Sequence, residues 1–98
     1  MAATEVAAQL AVLPAWRLEE GALVRAYGFG NYYETLAFVN ALAFVVHRED
    51  HHPDLVVSYN RCIVRFNTHS VGGISENDFI CAAKADAVFA QQFGTAAE

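Results

Sequence analysis

Positive charge is scarce in this chain: six Lys and Arg stand against eleven Asp and Glu, a net charge of −5 over 98 residues. The six are scattered singly, so the basic patch with which a protein grips phosphates is missing, and direct DNA or RNA binding is not expected. Cysteine is equally sparse. Cys62 and Cys81 make no CxxC pair and no secretion signal precedes them, so the expectation is two reduced, packed thiols in a cytoplasmic protein. No apolar run approaches the ~18 residues that a membrane-spanning helix needs. The opening "MAATEVAAQLAVL" lacks the basic start of a signal peptide. Proline occurs only twice, at Pro14 and Pro53, and each should mark the end of an element.

What the chain does have is apolar mass. Hydrophobic residues make up 55%, with seven Phe, four Tyr and one Trp, enough for a core without disulfides or a structural metal. One domain spanning 1–98 is expected, with 1–3 and 94–98 fraying at its ends. Thr4 to Leu13 reads as a short helix with Thr4 as its cap and Pro14 as its stop. Trp16 to Glu19 and Ala22 to Phe29 read as two strands joined at Glu20-Gly21. Leu55 to Ser58 and Cys62 to Thr68 form a second hairpin around Tyr59-Asn60-Arg61; Cys62, Val64 and Phe66 alternate there with Ile63, Arg65 and Asn67, and His69 falls on the polar face. Ser75 to Asp78 is a relative of the capping box and opens a last helix to about Phe93. The order α-β-β-α-β-β-α, with consecutive strands paired, predicts an α+β fold: a four-stranded antiparallel sheet with helices on one face.

The middle helix has a further implication. Asn31 caps it, with Glu34 three positions on, and from Tyr32 to Val46 only Glu34, Thr35 and Asn40 are clearly polar. Such a helix is apolar nearly all round and needs cover on more than one side, yet a sheet in so small a domain covers one. A homo-oligomer, dimer or tetramer, through this helix or a sheet edge is therefore expected.

Candidate chemistry concentrates in "HREDHHPD", where His47, His51 and His52 are three of the four histidines. His47 and His51, four apart on a helix, could share a face and bind metal with His69, although Arg48 and Asp50 do not fit HExxH or its inverse. Alternatively Pro53 stops the helix, and His51 and His52 gather at its C-terminus as a polar joint favoured by the helix dipole. Imidazole ordinarily titrates near pH 6.5, so the same residues could also give and take protons at neutral pH. Spacing alone leaves all three readings open.

Four segments together carry a resemblance: "HHPD" at His51 to Asp54, Tyr59 in "SYN", "THS" at Thr68 to Ser70, and "GISENDF" at Gly73 to Phe79. In this order and at these intervals, the chain from about Trp16 to Phe89 resembles the pterin-4a-carbinolamine dehydratase family, also called 4a-hydroxytetrahydrobiopterin dehydratase. It departs from many members in having Leu55 where an aromatic follows "HHPD", and from some in having Val71 in place of Cys.

The resemblance implies dehydration of 4a-hydroxytetrahydropterin to quinonoid dihydropterin and water, a hydro-lyase step that recycles tetrahydrobiopterin for aromatic amino-acid hydroxylation. It implies no metal and no organic cofactor. His51, His52 and His69 would form the catalytic set, with His51 and His69 as acid and base and His52 holding and polarising the substrate. Pro53 would fix the loop, Thr68, Ser70 and Val71 would line the pterin with His69, and Asp78 would support the histidines. The same family implies an alternative, a non-catalytic dimerisation or assembly cofactor built on the same fold.

Overall fold

The computed structural model describes residues 1–68 and 73–94. Its elements follow the order expected: α1 (Ala3–Ala11), β1 (Arg17–Glu19), β2 (Ala22–Gly28), α2 (Tyr32–Arg48), β3 (Asp54–Ser58), β4 (Arg61–Phe66) and α3 (Glu76–Phe93). The strands form one antiparallel sheet in the order β1-β2-β4-β3.

Glu20 and Gly21 connect β1 to β2 with φ of 48° and 75°. Two successive positive values define the mirror-image turn whose twist matches a hairpin, and glycine enters it without a Cβ clash. In the register, Leu23 lies opposite Phe66, Arg25 opposite Val64 and Tyr27 opposite Cys62, which puts all six on the helix-facing side. On the other face Val24 lies opposite Arg65, whose guanidinium crosses β2 to donate to the carbonyls of Glu19 and Glu20 at 3.3 and 3.2 Å.

The core sits between that sheet face and the two long helices. Phe38, Leu42 and Val46 of α2 and Phe79, Ala82, Ala85 and Phe89 of α3 pack on Leu23, Tyr27, Cys62, Val64 and Phe66. Burying each of the larger side chains stabilises the fold by about 1.5–3 kcal/mol. Thr35, also fully buried, places its hydroxyl 3.0 Å from both the Asn31 and Tyr59 carbonyls, which ties the start of α2 to the β3–β4 turn. The buried stripe of α2 is Thr35, Phe38, Leu42 and Val46; Tyr33, Leu36 and Phe44 lie on a second face open to solvent.

Three local expectations are corrected. α1 is capped by Ala2 rather than Thr4, because the Glu5 carboxylate reaches back to the Ala2 N–H at 2.8 Å. Its helix ends at Ala11, before Pro14 can act. α2 likewise ends at Arg48, ahead of Pro53, so His51 and His52 follow the helix instead of occupying its last turn. Its stop is Asp50, which takes a left-handed φ of 51°. The N–H groups of Asp50 and His51 bond back to the carbonyls of His47 and Val46 at 3.0 and 3.2 Å, satisfying the helix end. Because His51 lies past the stop, the helical i, i+4 face imagined for His47 and His51 does not exist.

Candidate active site

His51 leaves the helix stop directed inward. Its ring stacks on Phe66 at 6.0 Å with 10° between planes, and its Nε2 lies 2.5 Å from Asp78 Oδ1. The imidazole is 12% exposed and Asp78 is fully buried. A carboxylate offers only acceptors, so Nε2 carries the hydrogen of this bond, an assignment made from the network. In the neutral ring Nδ1 is then the nitrogen without a hydrogen.

Asp78 is held as firmly as it holds. Its Oδ2 accepts the Ser75 N–H at 2.8 Å, which is the reach-back half of a capping box at the start of α3. The Thr68 hydroxyl donates to the same oxygen at 2.8 Å, and Ser75 Oγ lies 2.6 Å from Thr68 Oγ1. With one hydrogen per hydroxyl, the order that satisfies every group runs from Ser75 Oγ to Thr68 Oγ1 to Asp78, a chain in which each bond polarises the next. Thr68 and Gly73 pair through their backbones at 2.7 and 3.3 Å, fixing the loop ends beside Asp78. His69, Ser70 and Val71, three of the residues expected to touch substrate, lie outside the described residues.

His52 meets different partners from its neighbour. It is exposed, its ring centroid lies 5.8 Å from that of His47, and both line an apolar cavity of about 470 Å³ with Leu42, Phe44, Pro53 and Leu55. The larger hollow, about 690 Å³, lies at the far end of β4, between Phe29, Glu34, Arg61 and Phe93, and carries no histidine. Tyr59 is also remote: it is exposed in the β3–β4 turn and stacks on Tyr32 at 6.3 Å. Among the described residues, no three His, Cys, Asp or Glu side chains are placed to hold a metal ion.

The two buried thiols are held in their neutral form. Burial pushes the Cys62 thiol up to about 11, and burial followed by the Glu49 and Asp78 charges does the same for Cys81. Both therefore stay protonated and weakly nucleophilic.

A second polar cluster escaped the sequence reading. Asp86 Oδ1 accepts from Trp16 Nε1 at 3.0 Å, Arg25 Nη1 at 2.7 Å and the Tyr27 hydroxyl at 2.5 Å. The Arg25 guanidinium sits over the Tyr27 ring, 4.2 Å from its centroid. Burial and then the bond to Asp86 raise the Tyr27 phenol well above its ordinary range, so it remains a donor. The signal was Arg25 itself, a charge between Leu23 and Tyr27 on the inward side of a strand.

Fold and site together define the class: a small α+β domain in which an imidazole is held by a buried carboxylate. The family model for pterin 4 alpha carbinolamine dehydratase matches residues 1–88, and the chain belongs to that family. It is 58% identical over 93 residues to a protein of Bdellovibrio bacteriovorus provisionally named pterin-4-alpha-carbinolamine dehydratase, covering 91% of this chain and 78% of that one. A Stenotrophomonas maltophilia protein of the same provisional name is 63% identical over 81 residues, covering 81% and 70%. Among solved structures, a transcriptional coactivator/pterin dehydratase from Brucella melitensis superposes with a TM-score of 0.86 at 29% identity over 90% of this chain and 96% of that one. A pterin dehydratase-like RuBisCO assembly factor of the alpha-carboxysome shares the fold, with a TM-score of 0.62 at 24% identity over 74% and 84%.

Proposed function

We propose that this chain dehydrates 4a-hydroxytetrahydropterin to quinonoid dihydropterin and water, so returning a pterin cofactor to use in aromatic amino-acid hydroxylation. The observation that carries the reading is the His51–Asp78 pair, which leaves one imidazole nitrogen free for proton transfer inside the "HHPD" segment of a family member. In the reaction the ring N5–H bond breaks, a C4a=N5 double bond forms, and the 4a-hydroxyl leaves as water once its oxygen is protonated. Hydroxide is a poor leaving group, so the acid matters as much as the base. A positioned acid or base typically contributes ~10²–10⁴-fold.

His51 takes one of these roles through Nδ1. His69 takes the other; it directly follows Thr68, whose hydroxyl is bonded to Asp78. His52, exposed beside Pro53, holds and polarises the substrate, and Thr68, Ser70 and Val71 line the ring with His69. Purified protein is expected to accelerate dehydration of synthetic 4a-hydroxytetrahydropterin, followed by absorbance, with no added metal and no loss in EDTA. Absence of acceleration would sink the reading, and abolition by EDTA would return the metal alternative.

The second reading is an assembly or dimerisation cofactor on the same fold. Its support is the open face of α2, where Tyr33 is 87% and Phe44 66% exposed. Two copies joined through this face, or through the β3 edge with its exposed Val56, would bury an apolar surface large for a lone monomer. Light scattering at micromolar concentration is expected to give at least a dimer mass; a clean monomer would remove the interface. The retained His51–Asp78 pair favours the enzyme, since a scaffold has no use for a free Nδ1.

A further inference from the structure

We infer that Asp50 is a positioning residue of this site, acting through its backbone: its left-handed torsion turns His51 onto Asp78. This rests on the function proposed above, in which His51 moves a proton. Among the described non-glycine residues only Glu20, in a hairpin turn, and Asp50 have positive φ. Asp50 stands at the one junction where the chain must pass from α2 to the site.

Both neighbours of Asp50 are tethered to α3. Glu49 Oε2 lies 3.1 Å from Lys84 Nζ, and His51 Nε2 lies 2.5 Å from Asp78 Oδ1. The torsion at Asp50 is therefore what allows the two tethers to close at once. A right-handed residue there would continue the helix and place His51 one ordinary helical step, about 100° and 1.5 Å, past residue 50, instead of turning it back toward Asp78. The His51 N–H would also lose its bond to the Val46 carbonyl, 3.2 Å away.

The carboxylate of Asp50 plays no visible part. It is exposed, and among the described residues it accepts no hydrogen bond and forms no ion pair. Aspartate suits the position because it tolerates the left-handed region, as asparagine does; glycine enters it with no Cβ penalty, and β-branched residues resist it. A backbone role and an electrostatic role therefore predict opposite outcomes for glycine.

The test compares full-length Asp50→Gly, Asp50→Asn, Asp50→Ala and Asp50→Val by kcat, KM, thermal melting and the long-range ¹H–¹⁵N signature of the His51 ring. Asp50→Gly and Asp50→Asn are expected to keep kcat within about twofold and to keep His51 protonated on Nε2. Asp50→Val is expected to lose ~10- to 100-fold in kcat, the scale of an ångström's misplacement, with KM less affected and the His51 signature averaged between tautomers. Asp50→Ala should fall between, which keeps the result readable if the valine variant does not fold. Loss in Asp50→Gly equal to that in Asp50→Val would overturn the inference in favour of the charge. Wild-type behaviour of Asp50→Ala and Asp50→Val would overturn it outright. If the wild-type protein lacks dehydratase activity, the proposed reaction fails, while the ring signature still decides what Asp50 does.

Discussion

His51→Ala is expected to slow dehydration by about 10²- to 10⁴-fold, the range for losing one positioned acid or base. The removed ring also leaves Asp78 Oδ1 without its partner, so some stability is lost with it. His51→Gln separates the two effects: its amide can donate to Asp78 but cannot shuttle a proton, and it should be folded and equally slow. Asp78→Asn is the complementary variant. If the amide oxygen stays toward His51, the amide NH₂ faces the Ser75 N–H and the Thr68 hydroxyl, donor against donor; if it flips, it selects the wrong imidazole tautomer. Either way kcat should fall at least tenfold. Rates within twofold of wild type for both His51 variants would remove His51 from the mechanism.

Asp86→Ala should be strongly destabilising although it lies away from the histidines. It deletes the oxygen that takes Trp16, Arg25 and Tyr27 together, in a place where the Arg25 side chain is 7% exposed and Asp86 23%. Removing one member of a largely buried pair costs about 3 kcal/mol, a substantial part of the ~5–15 kcal/mol typical of a domain. At this chain length that corresponds to a melting temperature lower by on the order of 15 °C. Urea unfolding gives the same quantity as a shift in midpoint, and a loss under 1 kcal/mol would show that the cluster is ornamental to stability. Dehydratase activity per folded molecule should change little, because Asp86 lies two turns along α3 from Asp78.

Much of the fold was legible because local signals agreed with one another. Glu20-Gly21 between alternating residues marked a hairpin, Asn31 and Ser75 marked helix starts, and the alternation of Cys62, Val64 and Phe66 marked the inward face of β4. What failed were ends that depend on backbone torsion. Pro53 was the visible stop for α2, yet Asp50 had already turned the chain, and nothing in composition distinguishes a left-handed aspartate from an ordinary one. Thr4 was an attractive cap, but Glu5 reaches the Ala2 N–H and lets the helix begin earlier.

For the site, residue types and their order were readable, whereas partnership was not. His51 and Asp78 are 27 residues apart and meet only because the helix stop and the start of α3 converge beside Phe66. The different partners of His51 and His52 could not be read from adjacent letters either. Asp86 was missed because its three donors come from a loop and β2, and no periodicity links them.

Asp78 caps α3 and orients His51 with the same carboxylate, one oxygen for each duty. That arrangement makes drift in this protein lopsided. On the proposed function, mutations that strike the histidine silence the chemistry and leave a sound scaffold, whereas those that strike the carboxylate damage the helix start as well. A lineage that gives up catalysis while keeping the domain for assembly would thus shed the imidazole first and carry its aspartate long afterwards, as a relic of the pair.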